Sequence, residues 1–359
     1  MCKHAHRHSI FCFMPPHVFD QIARNGNAEQ RGWALDALQM DHTMRNTRSF
    51  GLQAPAPAPM MTMADPEAGT PQRTIYSVGN TMNLPGTLQR SEGQAATDDI
   101  AVNEAYDGLG ATYDFYWQIF SRNSIDDQGL PLKAIVHFGQ RFNNAFWDGA
   151  EMIFGDGDGH FFGRYTVSVD VIGHELTHGV TEKEANLVYM NQSGALNESV
   201  SDVFGVLIKQ YALKQTAEQA DWLIGAGLLT PQVQGVALRS MRAPGTAYDD
   251  PMLGKDPQPA DFKNYIRTMQ DNGGVHLNSG IPNRAFYLAA TAIGGYAWER
   301  AGRIWYDTLQ DRRLKPNASF AAFARLTVAN AAMRYGVQST EAAAVHDAWN
   351  TVGVRVARA

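Results

Sequence analysis

The spacing of apolar residues divides the chain into a short helical part, a strand-rich part and a long helical part. In residues 15–46, apolar side chains recur at helical spacing in two pieces that Gly26 separates, which predicts two helices. From residue 74 to residue 167, short apolar or alternating runs predict strands, and a helical pattern over residues 99–120 interrupts them. The clearest strand candidates are residues 74–78, 134–138 and 151–154.

Helical spacing dominates the remainder of the chain. The predicted helices are residues 168–181, 196–214, 279–293, 298–309, 319–335 and 341–352. We find no internal repeat. The pattern predicts an α+β fold with a β-rich lobe over residues 74–172 and an α-helical lobe over residues 173–359. The helix where the lobes meet would form the floor of the cleft between them, a common location for ligand sites.

A proline-rich segment separates the N-terminal helices from the two lobes. Alanine and proline alternate over residues 54–59, a composition typical of an extended linker. We therefore expect residues 1–50 to be a propeptide and residues 51–73 to be a linker at which the precursor is cut. The alternative is an ordinary N-terminal extension with no inhibitory role.

Composition and charge narrow the class of protein. Of the 359 residues, 44% are hydrophobic, which is enough for two packed lobes and a small appendage. The net charge of −6 argues against a nucleic-acid partner, and no apolar run is long enough to span a membrane. The apolar run before Pro15 is too short for a secretory signal peptide. We expect synthesis as a cytoplasmic precursor, with export by a non-classical route left open.

The most informative motif is His174-Glu175-Leu176-Thr177-His178, and Glu198 follows it in the next predicted helix. Histidines four positions apart lie on one face of a helix, so both imidazoles can reach one zinc ion. Glu198 offers a third, anionic ligand, and Glu175 lies beside the open coordination position. The pattern predicts a hydrolase in which zinc activates water and Glu175 acts as the general base.

The residues around this motif favour a metal site over two histidines that are neighbours on a helix surface by chance. The apolar residues 168–173 precede the motif, which indicates a buried helix. Asp202 falls one turn after Glu198, on the same helix face. It can accept a hydrogen bond from the non-ligating nitrogen of a zinc histidine, which fixes the orientation of the ring.

These motifs, together with others in the same order, resemble the thermolysin-like zinc metallopeptidases. The resemblance covers residues 74–354, and residues 14–17 are similar to the short propeptide of the protealysin-like subgroup. Its other parts are residues 144–147, 155–159, 238–241 and 271–280, with Tyr189. It implies a two-lobe metallopeptidase fold and a zinc-dependent neutral endopeptidase that is made as a latent precursor.

The resemblance also implies which side chains assist the reaction. His276 and Tyr189 would stabilise the oxyanion that forms when the scissile carbonyl is attacked. Asp271 would orient His276 and favour its protonated form. Without the resemblance, Tyr189 would be read as a core tyrosine and His276 as a turn residue.

Further residues are implied to bind the substrate. Asn144 and Ala145 would contact its extended backbone, and Arg239 would donate to one of its carbonyls. A buried Arg239 needs a carboxylate partner, and the sequence does not indicate Asp202 for that purpose. The primary pocket would be lined by Phe162, Tyr165, Val171, Ile224, Leu228 and Leu238. These apolar side chains predict cleavage on the amino side of bulky hydrophobic residues.

One departure from the family pattern concerns calcium. Thermolysin-like enzymes hold paired calcium ions with acidic residues, of which Asp170 is present, whereas Lys209, Leu223 and Ala226 occupy other positions of the set. Because a lysine does not ligate calcium, we expect one catalytic Zn²⁺ and no paired calcium site. The sequence leaves open whether a calcium ion binds elsewhere. The glycine–aspartate run at residues 155–159 could suggest a calcium loop, but we expect it to be a tight turn.

The two cysteines, Cys2 and Cys12, both lie near the N-terminus, so no disulfide links the two lobes. Cys12 can be a thiolate ligand that blocks zinc in a latent precursor. We favour the alternative, a thiol packed among apolar side chains, because such burial is common. His4, His6 and His8 are expected in a solvated tail rather than at a metal site.

Two other functions compete with an endopeptidase. A non-catalytic binding or adhesion protein with this fold would have no need of Glu175, the zinc ligands or His276, yet all are present. An aminopeptidase shares the zinc motif but requires a site for the free amine of its substrate, and the sequence does not indicate one. We expect a monomer that acts on peptide or protein substrates and binds its own propeptide.

Overall fold

A computed structural model of the chain describes residues 11–49 and 68–357, without the side chains of Phe11 and of residues 41–49. Most of the predicted linker at residues 51–73 lies outside the described residues. Four residues considered above also lie outside them: Cys2, His4, His6 and His8.

The N-terminal part is a short strand followed by two helices. The strand β1 (Phe11–Cys12) leads to α1 (Pro16–Asn25), and α2 (Ala28–Ser49) follows after the turn at Gly26. Pro16 lies in the first turn of α1, where its missing N–H leaves no hydrogen bond unmade. The apolar face of α1 is buried through Val18, Phe19 and Ile22. The two helices predicted on either side of Gly26 are therefore present.

A six-stranded mixed sheet forms the core of the β-rich lobe. After β1, its strands are β2 (Arg73–Ser77), β3 (Thr87–Ser91), β4 (Leu132–Val136), β5 (Ala145–Trp147) and β6 (Met152–Phe154). Their order across the sheet is β1-β5-β6-β4-β2-β3. The strands β2, β4 and β6 match the predicted ones. The sequence gives no signal for β3, which is mostly exposed and polar, and little for β5, which has three residues.

The N-terminal segment adds β1 to the edge of this sheet. Phe11 pairs with Trp147 and Cys12 with Phe146, in antiparallel register. The side chain of Cys12 packs in a small apolar cluster with Phe146, whereas the next residue, Phe13, packs in the main core. Since neighbouring side chains of a strand point to opposite faces, the Cys12 side chain is directed away from the core that contains Phe13.

Helices form the rest of the molecule, which confirms the predicted α+β class. They are α3 (Ile100–Phe120), α4 (Val169–Glu184), α5 (Asn191–Leu213), α6 (Asp271–Asn278), α7 (Gly280–Ile293), α8 (Ala301–Leu309), α9 (Phe320–Tyr335) and α10 (Thr340–Thr351). Short strands lie between α5 and α6: β7 (Leu223–Ile224) pairs with β8 (Arg239–Ser240), and β9 (Asp249–Asp250) with β10 (Gly254–Lys255). In the described part of the chain, no helix has the length and apolar character to cross a membrane.

The helix α4 lies between the two lobes. It packs on α3 and β5 on one side and on α5 on the other. The predicted boundary after residue 172 therefore falls inside a helix that both lobes share. The helix α5 begins at Asn191, five positions before the predicted start, because its first turn is polar and has no apolar spacing.

Glycines allow α4 and α5 to approach each other closely. A Cβ atom at Gly205 would lie 2.4 Å from the carbonyl oxygen of Asp170, and one at Gly173 would lie 2.7 Å from Cδ1 of Ile208. Both distances are shorter than non-bonded atoms tolerate, so larger residues would separate the helices. This contact holds the histidine motif of α4 beside Glu198 of α5.

Replacing Gly205 with Ala should separate α4 from α5 and lower the free energy of unfolding by about 1–3 kcal/mol, as overpacked cores do. Denaturant unfolding of the zinc-loaded protein measures this change. Gly163→Ala is the matched control, because a Cβ atom there meets only the Leu228 carbonyl oxygen at 3.8 Å. Equal stability of the two variants would contradict a tight contact between the helices.

Candidate metal centre

Two imidazoles and one carboxylate meet where α4 packs against α5. The Nε2 atoms of His174 and His178 lie 3.0 Å apart, and a carboxylate oxygen of Glu198 lies 3.5 Å from each of them. All three side chains are buried, and their ligand atoms lie within 4.8 Å of one another. Among the described residues, this is the one group of three or more such side chains able to hold a metal ion.

The chemistry of these donors fits zinc. Two imidazole nitrogens and a carboxylate are a common catalytic zinc set, and they leave a fourth tetrahedral position for water or substrate. Burial and the neighbouring His174 lower the pKa of His178 well below its ordinary value. His178 is thus neutral, which is the form of imidazole that binds a metal.

Each histidine ligand has a second contact that orients its ring. Nδ1 of His174 lies 2.8 Å from Oδ1 of Asp202. Nδ1 of His178 lies 2.7 Å from Oδ1 of Asn197 and 3.0 Å from the Ser201 hydroxyl. Such acceptors keep the proton on Nδ1 and leave the Nε2 lone pair for the metal. The sequence indicated Asp202 but not Asn197 or Ser201, because these residue types are common on any helix.

Asp202 is also the carboxylate partner that a buried Arg239 needs, although the sequence did not indicate Asp202 for that purpose. Arg239 donates from Nη2 to Oδ1 at 2.7 Å and from Nε to Oδ2 at 3.0 Å, and Asn283 donates to Oδ2 at 2.8 Å. Burial raises the pKa of the Asp202 carboxyl, but Arg239 and His174 outweigh burial and hold that pKa well below its ordinary value. The strand β8 brings Arg239 over α5, a long-range contact that local sequence spacing does not reveal.

Glu175 lies on α4 between the two histidine ligands and is fully buried. Its Oε2 accepts a hydrogen bond from the backbone N–H of Trp147 at 3.1 Å. The strand β5, which lies next to the edge strand β1, therefore fixes the position of this carboxylate beside the metal ligands.

A second group of side chains lies beside Glu198. It consists of Tyr189, His276 and Asp271. Nε2 of His276 lies 3.5 Å from Oε2 of Glu198 and 3.3 Å from the Tyr189 hydroxyl, which itself donates to Glu198. Oδ1 of Asp271 lies 2.6 Å from Nδ1 of His276, and its Oδ2 accepts the backbone N–H of His276 at 2.8 Å. Left-handed backbone at residues 272–274 reverses the chain, which lets Asp271 reach back to His276.

The N-terminal segment crosses the mouth of this site. The backbone N–H of Phe13 donates to the carbonyl of Ala145 at 3.1 Å. The backbone N–H of Met14 donates to Oδ1 of Asn144 at 3.0 Å. The two residues that the resemblance assigns to substrate backbone thus contact the backbone of the protein's own N-terminal segment.

Two further side chains of the site contact carbonyls of this segment. Nη1 of Arg239 donates to the carbonyl of Phe13 at 3.4 Å. Nε2 of His276 lies 3.0 Å from the carbonyl oxygen of Cys12. The segment of residues 12–14 is therefore held along its length by backbone hydrogen bonds.

The ring of Phe13 packs inside the site, with the guanidinium carbon of Arg239 4.5 Å from its centroid. It is fully buried, and it meets the His174 ring edge-on with 5.2 Å between centroids. A Cβ atom at Gly225 would lie 3.5 Å from both this ring and the Leu238 side chain. The six residues predicted to line the primary pocket are buried in the same core as Phe13: Phe162, Tyr165, Val171, Ile224, Leu228 and Leu238.

The ammonium group of Lys209 lies beside the buried carboxylate of Asp170. Nζ of Lys209 lies 3.0 Å from Oδ2 of Asp170 and 2.9 Å from Oδ1 of Asp221, and it donates to the carbonyl of Leu223 at 2.6 Å. Burial lowers the pKa of Lys209, but Asp170 and Asp221 raise it by more than burial lowers it. The pKa of Lys209 therefore lies above its ordinary value. A positive charge thus sits among three oxygen atoms. Ala226 occupies another position at which the family pattern has a calcium ligand. Its backbone carbonyl accepts a hydrogen bond from the Ser168 hydroxyl at 2.8 Å.

Comparison with known families agrees with this geometry. The family model described as "Thermolysin metallopeptidase, catalytic domain" matches residues 41–182. The model described as "Thermolysin metallopeptidase, alpha-helical domain" matches residues 185–354. Together the two matches cover most of the chain.

Individual proteins are similar over nearly the whole chain. An "Extracellular metalloprotease" of Pectobacterium carotovorum subsp. carotovorum is 54% identical over 347 residues, 97% of each chain. "Protease PrtS" of Photorhabdus sp. (strain Az29) is 48% identical over 96% of this chain and 92% of its own. The solved structure of the precursor of protealysin, a metalloproteinase from Serratia proteamaculans, has 55% sequence identity and a TM-score of 0.87, covering 96% of this chain and 99% of that one.

Replacing Asp202 with Ala should remove the Nδ1 acceptor of His174 and the carboxylate partner of Arg239 together. We expect a loss of about 3–5 kcal/mol in the free energy of unfolding and roughly 10- to 100-fold weaker zinc binding. Denaturant unfolding and zinc titration measure the two effects. Asp307→Ala is the control, because it breaks a surface ion pair with Arg334, which should change stability by less than about 1 kcal/mol. Unchanged zinc affinity in Asp202→Ala would contradict the orienting contact.

Proposed function

The chain belongs to the thermolysin family of metallopeptidases, and on that premise we propose that it is made as a latent precursor whose N-terminal segment occupies the active-site cleft. It is a metalloendopeptidase with its metal site at His174, His178 and Glu198. The observation that carries the proposal is the placement of residues 12–14. The residues assigned to substrate binding have this segment as their hydrogen-bond partner.

In the proposed mechanism, His174, His178 and Glu198 would hold a zinc ion, which would supply Lewis acidity and lower the pKa of water. Glu175 accepts a proton from the attacking water and delivers it to the departing amine. Its buried position, fixed by the Trp147 N–H, keeps the carboxylate beside the metal ligands without a side-chain rearrangement.

We assign stabilisation of the developing negative charge to His276 and Tyr189. Nε2 of His276 lies 3.5 Å from Glu198 and 3.3 Å from the Tyr189 hydroxyl, so both side chains could donate to a substrate carbonyl beside Glu198. Asp271 contributes as a positioning residue. Its carboxylate accepts from both the ring and the backbone of His276, which fixes the orientation of the ring.

Substrate specificity follows from the pocket that Phe13 fills. We propose that Asn144, Ala145 and Arg239 bind the extended backbone of a substrate, with its next side chain in the pocket beside Val171 and Leu238. Phe13 is fully buried in the same apolar core as Val171 and Leu238, so this region holds a complete phenyl ring. This supports cleavage on the amino side of bulky hydrophobic residues.

We propose residues 1–50 as the propeptide, 51–73 as the cleavable linker, and 74–172 and 173–359 as the two catalytic lobes. The similarity to the Pectobacterium protein, which is described as an extracellular metalloprotease, supports the proposal that this chain acts outside the cell. Synthesis as a cytoplasmic precursor, export by a non-classical route and a monomeric state stay predictions.

Replacing Glu175 with Ala in the prosegment-free enzyme should lower peptide cleavage by about 10²–10⁴-fold, as expected for loss of a general base. Zinc content should stay near that of the wild type, because Glu175 is not one of the three ligands. Casein hydrolysis, mass-spectrometric mapping of the cut sites and zinc analysis measure these outcomes. Wild-type cleavage at bonds that do not precede hydrophobic residues would contradict the proposed pocket.

A buried histidine next to the bound segment gives latency a pH dependence. Nε2 of His17 lies 3.1 Å from the Tyr248 hydroxyl, and its Nδ1 is buried with no hydrogen-bond partner among the described residues. Burial lowers the pKa of His17 from 6.5 to about 4; Asp271 opposes this shift, and His276 and Arg239 add to it. Because a released segment would titrate near 6.5, its binding is strongest above that pH and weakens as the pH falls towards 4.

We therefore expect the linker-cut precursor to bind its propeptide more weakly at acidic pH, by up to roughly tenfold per pH unit between about 6.5 and 4. The dissociation constant of the propeptide, measured by inhibition across this range, tests the expectation. His17→Gln is the matched variant, because glutamine can still bond to Tyr248 and does not titrate. Identical pH profiles of wild type and His17→Gln would exclude His17 as the cause.

We propose that Lys209 takes the place of calcium beside Asp170. Millimolar calcium should then leave the melting temperature of the wild type almost unchanged. Lys209→Ala should lose about 3–5 kcal/mol of stability, because Asp170 would be buried without its cation. Lys183→Ala, which alters an exposed lysine of α4, is the control in the same thermal scans. A large calcium-dependent rise in the wild-type melting temperature would contradict the absence of a paired calcium site.

A further inference from the structure

We propose that the precursor is a substrate of its own active site, and that it hydrolyses the peptide bond between Cys12 and Phe13. This inference rests on the proposed function above and assigns that site a substrate. The cut lies inside the propeptide and is distinct from cleavage in the linker.

The hydrogen bonds along the segment follow the order expected for a productive substrate. His276, the proposed donor to the reacting carbonyl, lies 3.0 Å from the carbonyl oxygen of Cys12. The next N–H, that of Phe13, donates to Ala145, and the next carbonyl, also of Phe13, accepts from Arg239. The bond between the two residues is therefore the one whose carbonyl oxygen lies at His276.

The side chains agree with this register. The residue on the carboxyl side of the bond is Phe13, whose ring is fully buried in the main apolar core. Glu175 is hydrogen-bonded to Trp147, which belongs to the same strand, β5, that pairs with Cys12 through Phe146. The proposed general base is thus fixed by the strand to which the segment binds.

Several peptide bonds in this segment precede a bulky apolar residue, and the register in which the segment binds selects one of them. In an unbound peptide of this sequence, Ile10, Phe11, Phe13 and Met14 would all offer a bulky apolar side chain. In the precursor, Asn144 holds the N–H of Met14 and Ala145 holds that of Phe13. These two contacts fix the segment and leave the Cys12 carbonyl at His276.

The reaction is an ordinary hydrolysis and needs no further reactant than water. Water adds to the Cys12 carbonyl carbon, the C–N bond breaks, and Glu175 transfers the proton to the Phe13 nitrogen. The products are a carboxylate at Cys12 and an amine at Phe13. Both cysteines of the chain lie in the fragment of residues 1–12 that leaves, while α1 and α2 stay attached to the remainder.

The test uses the zinc-loaded precursor at several dilutions. We expect a new N-terminus at Phe13, a mass loss equal to residues 1–12 and loss of both thiols from the main chain. The rate should be independent of protein concentration, because the bond lies in the cleft of its own molecule. Glu175→Ala precursor should stay intact under the same conditions.

Variants of the segment test the register. Phe13→Leu should retain the cut, and Phe13→Gly should slow it at least about tenfold, because the pocket loses its side chain. Phe11→Gly makes the same chemical change two positions earlier and should leave the cut position unchanged. A cut before Phe11 or before Met14 would overturn the inference.

One further outcome separates this inference from the function on which it rests. The prosegment-free enzyme is assayed on casein in parallel. Casein cleaved before hydrophobic residues, with the Cys12–Phe13 bond intact after the linker is fully processed, would overturn the inference and leave the proposed function standing. Neither casein nor the segment cleaved would contradict both.

Discussion

The buried carboxylate of Asp202 is the interaction on which the rest of the site depends. A buried charge is costly unless every part of it is paired, and here it accepts hydrogen bonds from His174, Arg239 and Asn283. It therefore joins a metal ligand of α4, the proposed substrate-binding residue Arg239 of β8 and a side chain of α7. The metal site and the proposed substrate site share one electrostatic anchor.

The sequence predicts the parts of the site that are local and misses those that depend on long-range contacts. His174, Glu175 and His178 are separated by fixed helical spacing, so their common face follows from the chain itself. The pairing of Arg239 with Asp202 requires β8 to fold over α5, and no periodicity encodes that approach. The same holds for β1, which has two residues and becomes a strand only by pairing with β5.

The contacts proposed to bind a substrate also account for the proposed latency. The segment of residues 12–14 uses backbone hydrogen bonds to the edge strand and one buried aromatic ring, which is how an extended peptide is recognised by β-strand addition. Because the segment belongs to the same chain, its effective concentration at the cleft is high and modest contacts suffice to hold it. The Cys12 side chain packs in the small apolar cluster with Phe146. The cleft is therefore blocked by the backbone of residues 12–14 and by the Phe13 ring, and not by a thiolate on the metal.

The central claim is that one zinc ion is held by His174, His178 and Glu198 beneath the propeptide. X-ray absorption at the zinc edge of the zinc-loaded precursor tests it most directly, because nitrogen or oxygen and sulfur ligands differ in distance. The account predicts a shell of nitrogen and oxygen atoms at about 2.0–2.2 Å with an imidazole signature of two rings. A sulfur ligand at about 2.3 Å would mean that a cysteine of the propeptide binds the metal, and would contradict the account.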